Sequence, residues 1–337
     1  MNSKKVVIII LNWNGWKDTI ECLESVLAID YTSYEVIVVD NGSKDDSIQI
    51  IKNWANSVSE EYSKDFTSNR HTTMLGFFEI DEKEVEPIIN REKPRSLMSK
   101  RLTLIKNHRN YGFALGNNNA IKYALKTSMP DYILLLNNDT VVDSAFLKNL
   151  VNLIDSNDRI GIVGPVNFSY YSPNTILAVG ENIDWKRGRT NISRALPESS
   201  EGKISLEFDE VPGSCLLFRS KMIDDVGFMD PDYFCYYEET DWCVRAKQKG
   251  WLICTSLTSK ILHKYGSTEK KIHGFKLYYL TRNRFWFMRK RASNLRFLVF
   301  LFFFLEDFTS TMLFLIVLRR DVRLMRIYFT AIYDGLR

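Results

Sequence analysis

Residues 4–16 read KKVVIIILNWNGW, and residues 34–43 read YEVIVVDNGS. Val6–Leu11 stops at Asn12-Trp13-Asn14-Gly15, and Tyr34–Val39 stops at Asp40-Asn41-Gly42-Ser43. A run that is apolar at every position, rather than at every second one, suits a strand covered on both faces. Between the two lies Lys17–Ala28, where Ile20, Leu23, Val26 and Leu27 recur at helical spacing. After the second run, Asp45-Asp46-Ser47 leads into an expected helix over Ile48–Ala55. The order strand, helix, strand, helix predicts an α/β fold with a mostly parallel sheet and helical crossovers.

Working outward, Leu102–Ile105 and Tyr132–Leu136 continue as strands, separated by an Asn- and Gly-rich stretch over 107–119 and a helix over Ala120–Thr127. Residues 56–100 break the pattern with Ser, Glu, Lys, Asp and Arg around one apolar island, Met74–Ile80. They are expected to form an inserted excursion at the sheet edge, a hairpin. Farther on, Ile160–Val163, Ile176–Val179 and Val211–Arg219 predict strands, Thr240–Lys249 a helix, and residues 184–203 a mobile loop.

The 337 residues are 45% hydrophobic and 26% charged, enough for one large domain or two modest ones with a buried core. A net charge of +4 is mild. With no basic-aromatic pattern of an RNA or DNA reader, it calls for no nucleic-acid partner and is equally compatible with anionic lipid or a diphosphate. The five cysteines form no CxxC pair and are odd in number, which points to reduced thiols in a cytosolic compartment. The opening MNSKK runs into a strand-like segment without a cleavage site, so no signal peptide is expected there.

The C-terminal part changes character. Arg282–Arg291 mixes five basic residues with Phe285, Trp286 and Phe287, and Phe297–Leu318 is strongly apolar apart from Glu306, Asp307, Thr309, Ser310 and Thr311. That stretch is long enough to cross a hydrocarbon core of about 30 Å, but acids near its centre cost about 2–3 kcal/mol each. Two short interfacial helices broken near Glu306–Thr311 are the expected arrangement. A span and a buried helical hairpin are the alternatives. The flanking groups Arg289–Arg291 and Arg319–Arg326 suit anionic head groups.

In an open α/β sheet, ligands bind beyond the carboxyl ends of the strands. Three expected strand ends carry polar residues there: Asn12 and Asn14, Asp40 and Asn41, and Asn137–Asp139. Any one of them is equally a turn or a helix cap. No GxGxxG follows the first strand and no GxxxxGK[ST] occurs, so neither Gly-rich phosphate cradle is present. A divalent metal held by carboxylate is then the expected way to neutralise a diphosphate.

The ordered blocks IIILNWNGW (8–16), VIVVDNGSKDDS (36–47), NHRNYGFALGNNNAI (107–121), ILLLNNDTVVD (133–143), PGSCLLFRS (212–220), YYEETDWCVRAKQKGW (236–251), HKYGS (263–267) and YYLTRNR (278–284) resemble the GT2 family of GT-A glycosyltransferases, in particular its rhamnosyltransferase-like branch. The resemblance implies an inverting transfer of sugar from a UDP- or dTDP-sugar to a hydroxyl of a cell-surface glycan or lipid-linked glycan. It places the nucleotide half near 1–140, the acceptor half near 141–275, and a helical membrane-facing region over 276–337, at the cytoplasmic face of the cell membrane.

Residue by residue, Asp40 matches the carboxylate that partners the nucleobase, with Asn12 and Asn14 at the edge of that pocket. Asn110, Gly112, Gly116 and Asn117 match a block whose backbone runs close to the donor. Asn137-Asn138-Asp139 occupies the DXD position with Asn first, so Asn138 lies on the donor side and Asp139 alone supplies a carboxylate to Mg²⁺ or Mn²⁺. His263 matches a metal-contacting histidine. In Glu238-Glu239-Thr240-Asp241 the base corresponds to Glu239, where the family has Asp, and Asp241 is the second candidate. The rival readings are a polyprenyl-phosphate sugar transferase and a catalytically silent nucleotide-sugar-binding component of a polysaccharide assembly complex.

Overall fold

The computed structural model describes residues 3–64, 76–90, 101–265 and 272–337. An eleven-stranded mixed sheet forms its centre. The parallel part contains β1 (Val6–Asn12), β2 (Tyr34–Asp40), β4 (Leu102–Lys106), β3 (Phe77–Asp81) and β5 (Tyr132–Asn137). Beyond β5 follow β12 (Cys215–Arg219), antiparallel to it, then β7 (Ile160–Ser169), β13 (Leu252–His263) and the edge strand β11 (Ser205–Glu207). Short β6 (Thr140–Val142) pairs with β13, and β8 (Ile176–Ala178) with β7.

The unalternating runs have the expected cause. In β1, Val6, Ile8 and Ile10 enter one core with Cys22, Leu23 and Val26 of helix α1 (Trp16–Leu27) and with Phe146 and Leu150 of α5 (Phe146–Asp155). Val7 and Ile9 enter the other, against Ile121 and Tyr123 of α4 (Gly112–Thr127) and Trp242 of α7 (Glu238–Gln248). With helices on both faces, every position of the strand except Leu11 is buried. The register sets Asn12 beside Asp40 and Leu11 beside Asn137, so the polar strand ends form one continuous rim.

Several sequence expectations are corrected. Helix α2 runs from Ser47 to Lys64, well past Ala55, because Ile48, Ile51, Trp54, Ala55 and Val58 keep packing on the first core. The apolar island contributes β3, which pairs parallel to β4 rather than as a hairpin arm, and leads into α3 (Glu82–Ile89) through an Asp81–Glu84 capping box. The rest of that stretch, 65–75 and 91–100, lies outside the described residues. Helix α4 begins at Gly112, not Ala120: Asn117 and Asn118 satisfy their amides on Phe113 O and Met229 O, so a polar run becomes a buried helix.

The expected loop 184–203 supplies the turn and second strand of an antiparallel hairpin, β9 (Gly180–Asp184) with β10 (Arg189–Ser193). Its turn packs on α8 (Phe275–Arg291), where Trp185 stacks on Phe287. The C-terminal helix is also unbroken at Glu306–Thr311. Helix α9 (Asn294–Leu313) passes through a π-helical turn (Phe314–Arg319), and the chain reverses only at Arg320, φ +50°, before α10 (Val322–Leu336). Asp307 explains this continuity. It is turned towards the protein, with Arg284 at 2.5 Å, Arg187 at 2.5 Å and Arg189 at 3.0 Å, so the acid is neutralised in place.

Candidate active site

The strand-end rim carries two adjoining polar clusters. In the first, Asp40 accepts from the Asn12 amide (2.7 Å), the Ser43 hydroxyl (2.7 Å) and the Ser43 backbone N–H (2.9 Å). Asn14 accepts from the backbone N–H groups of Lys44 and Asp45, tying the ends of β1 and β2 together. Asp40 and Asn12 are fully buried, so in this arrangement they organise the rim rather than present free groups to a ligand. Trp13, Asn14, Asn137 and Asn138 are the half-exposed members. The Asn138 amide donates to the Thr19 hydroxyl at 2.9 Å.

The Asn/Gly block packs closely on neighbouring parts of the chain. Gly112 has φ +75°, and a Cβ there would fall 2.2 Å from the Phe234 carbonyl oxygen. A Cβ on Gly116 would meet Leu11 at 2.9 Å. These glycines permit close approach of protein to protein. Asn110 accepts from Asn41 and from the Gly112 N–H, and Asn117 is satisfied within α4. Asn41 joins all of this: it donates to Asn110 and Gly112 O, and accepts from Asn107 and Tyr111. Its role was invisible in the sequence, where it is one Asn among many.

In the second cluster, Asp139 follows β5 and His263 ends β13. Each is more than nine-tenths buried, and His263 Nε2 lies 3.1 Å from Asp139 Oδ1. Among the described residues no group of three or more His, Cys, Asp or Glu is placed to enclose a metal. One carboxylate and one imidazole, with phosphate and water completing the shell, fit an Mn²⁺-type site bound together with its substrate. Neighbouring Lys264 is bound by Asp18 (2.6 Å) and Glu21 (2.5 Å).

The acidic segment lies at the N-terminus of α7. Phe234, Tyr236 and Tyr237 just before it have φ of +65°, +69° and +72°, a costly conformation for non-glycine residues. Asn283 of α8 holds the bend through the carbonyls of Tyr233, Cys235 and Tyr236 at 2.8–2.9 Å. Asn283 lies in the YYLTRNR block, where nothing in the sequence marks it for this role. The four following residues then separate by environment. Glu238 is buried. Asp241 is fully buried and accepts from Tyr233, Arg245 and Arg291, so its carboxylate is saturated, unlike a base awaiting a proton. Glu239 is half-buried, and its Oε2 has no partner. Its Oε1 lies against Gly213, where a Cβ would approach to 3.0 Å. Burial pushes the Glu239 pKa up to about 7, with the charge of Glu181 adding to it.

The chain matches the family models Glycosyl transferase family 2 over residues 7–76 and Glycosyltransferase like family 2 over residues 81–291. It is 27% identical over 248 residues to the dTDP-rhamnosyl transferase RfbF of Shigella flexneri, covering 68% of this chain and 76% of that protein. To the low-salt glycan biosynthesis hexosyltransferase Agl10 of Haloferax volcanii it is 24% identical, covering 52% of this chain and 56% of the relative. Among solved structures, the mannosyltransferase PcManGT of Pyrobaculum calidifontis, in complex with GDP-Man and Mn²⁺, superimposes with a TM-score of 0.56 at 11% identity, covering 100% of this chain and 88% of that one. S. aureus TarS 1–349 in complex with UDP-GlcNAc does so at 0.55 and 14% identity, covering 98% and 80%. The sheet order and these likenesses make the fold GT-A. The family models together cover most of the chain: it belongs to the family 2 glycosyltransferases.

Proposed function

We propose that the protein transfers a sugar from a UDP- or dTDP-sugar, rhamnose being one candidate, to a hydroxyl of a cell-surface glycan or glycolipid, inverting the anomeric carbon. The observation that carries this reading is Glu239, a half-buried carboxylate with an unpartnered oxygen at a strained helix start. Glu239 takes the acceptor proton as the oxygen attacks the anomeric carbon, and the bond to the diphosphate breaks on the opposite face. Residues 1–140 would serve the donor and 141–275 the acceptor. The rim of Asn12, Asn14, Asp40 and Asn138 would position the nucleotide, on the scaffold formed by Asn110, Gly112, Gly116 and Asn117. Asp139 and His263 would hold Mg²⁺ or Mn²⁺, which when bound neutralises charge on the leaving diphosphate.

The test is turnover of UDP- and dTDP-sugars, with the product's anomeric configuration read by NMR. Binding without turnover of any nucleotide sugar would overturn the enzymatic reading. In a thermal-shift series, a donor at 100 times its Kd should stabilise by about 2.7 kcal/mol, and Asp139→Asn should lose the part that depends on Mn²⁺. An undiminished Mn²⁺ effect in that variant would remove Asp139 from the metal site.

The pH dependence follows from Glu239. A base works only when deprotonated, so kcat/KM should be full above its pKa and fall as pH drops through about 7, rather than through the ordinary 4.5. A profile flat down to pH 5 would contradict the assignment.

We place residues 276–337 at the cytoplasmic face of the membrane. Among the described residues, Asn294–Arg319 is the one helix long and apolar enough to cross a bilayer. One stripe of it, Phe300, Phe304 and Asp307, is buried on the protein, while Leu298, Phe302 and Leu305 on the other side are 63–71% exposed. That division, with exposed Arg319, Arg320, Arg323 and Arg326 at the following turn, supports a helix lying in the interface. Vesicles containing phosphatidylglycerol should bind the protein, and Gln at these four positions should weaken binding by about 1 kcal/mol per charge. Equal binding to uncharged vesicles would argue against the electrostatic part.

A further inference from the structure

The mechanism leaves two glutamates near Glu239 without a role, one buried and one half-exposed. Glu181 of β9 and Glu210, before β12, exchange both backbone hydrogen bonds: Glu181 N–H to Glu210 O at 3.0 Å, and Glu210 N–H to Glu181 O at 3.1 Å. Residues paired in this way project their side chains on the same face, close together. Glu210 is 3% exposed, and its Oε2 has no partner. Its side chain interacts with the Thr240 hydroxyl and with the Glu181 carboxyl, and it lies within electrostatic reach of Glu239. Glu181 is half-exposed. Burial and a facing carboxyl both disfavour the charged form of Glu210, so Glu210 keeps its proton.

We propose that Glu181 and Glu210 are positioning residues for the transfer reaction: a proton-sharing carboxyl pair that sets the proton affinity of the base, Glu239. Glu210 holds the shared proton, and Glu181 bears the charge. Burial raises Glu210 well above the carboxylate range, and the charges of Glu181 and Glu239 reinforce this. Glu181 in turn raises Glu239. The other groups facing the cluster do not replace that charge. Glu238 and the Cys243 thiol are buried on α7 and raised. Tyr237 is raised by its burial, with Arg284 of α8 and Arg189 of β10 opposing. Both arginines are bound to Asp307. Asp241 is bound to Arg245 and Arg291.

This proposal rests on Glu239 being the base, and the experiment keeps the two apart. The kcat–pH profile is measured for the full-length enzyme and for Glu181→Gln, Glu210→Ala and Glu210→Gln. Removing the Glu181 charge should move the acid limb about 0.5–1 unit lower, a like charge being worth a unit or more when close and less when half-exposed. Glu210→Ala removes an uncharged group and leaves Glu181 ionised, so the limb should stay within about 0.3 unit of native. Glu210→Gln, an uncharged hydrogen-bonding isostere, should likewise stay within about 0.3 unit of native. A limb that stays at the native position in Glu181→Gln, with only amplitude or melting temperature changed, overturns the pair's role, as does a limb that falls in Glu210→Gln, which would mean that Glu210 itself carries charge. If Glu210→Ala does not fold, Glu181→Gln decides alone. A fully active Glu239→Gln would instead reject the base itself.

Discussion

Glu239→Gln is expected to slow glycosyl transfer by about 10²–10⁴-fold, the contribution of a positioned general base, or roughly 3–5 kcal/mol in barrier height. Gln occupies the same volume against Gly213 and can use the same partners, so the fold and the affinity for the nucleotide should be retained. The loss should therefore fall on kcat and be nearly independent of donor concentration. The same variant separates the rival chemistries. A lipid phosphate acceptor is already ionised at neutral pH and scarcely needs a base, so a polyprenyl-phosphate transferase would keep most of its rate. Retained activity in Glu239→Gln would thus sink the hydroxyl-acceptor reading as well as the base. Glu239→Asp restores the shorter acid of the family pattern but withdraws the carboxylate by about one C–C bond, and partial activity is expected.

The separation of the four residues Glu238–Asp241 is also where the sequence was least informative. Three acids in a helix's first turn look interchangeable, and each is a plausible base by type. Only tertiary contacts distinguish them: Arg245 is one turn away on the same helix, but Arg291 and Tyr233, which saturate Asp241, arrive from elsewhere in the chain. The strands were legible because burial on both faces leaves an unalternating run such as VVIIIL, and the strand-end rim followed from topology. The hairpin at 180–193 was not. Its strands have no apolar alternation, and its order comes from Trp185 on Phe287, Tyr237 on Gly188 O, and Arg187 on Asp307. The pairing of Glu181 with Glu210 was hidden for the same reason, since nothing local marks residues that meet only through this hairpin.

Asp307→Leu is expected to destabilise the protein by about 3 kcal/mol, the low end of the 3–5 kcal/mol typical of breaking a buried ion pair by removing one partner. The cost falls on Arg284, which is 5% exposed and lies between Phe300 and Phe304, with its Nε donating to Arg187 O. Without Asp307 this buried guanidinium loses its carboxylate partner. Arg187 and Arg189 are 31% and 48% exposed and can turn to solvent, which is why the upper end is not expected. Urea denaturation measures the loss, and Arg284→Met combined with Asp307→Leu supplies the control. Replacing both charges with apolar groups of similar volume avoids the stranded ion, so the double variant should recover most of the stability. A double variant as unstable as Asp307→Leu alone would mean that Asp307 acts through the hairpin arginines instead. The distinction matters for function, because the same hairpin turn accepts the Tyr237 hydroxyl at Gly188 O, two residues before Glu239. If the stranded charge is the whole effect, the double variant should keep native kcat; if α9 holds the hairpin in register for the acidic segment, kcat should fall even where stability is restored.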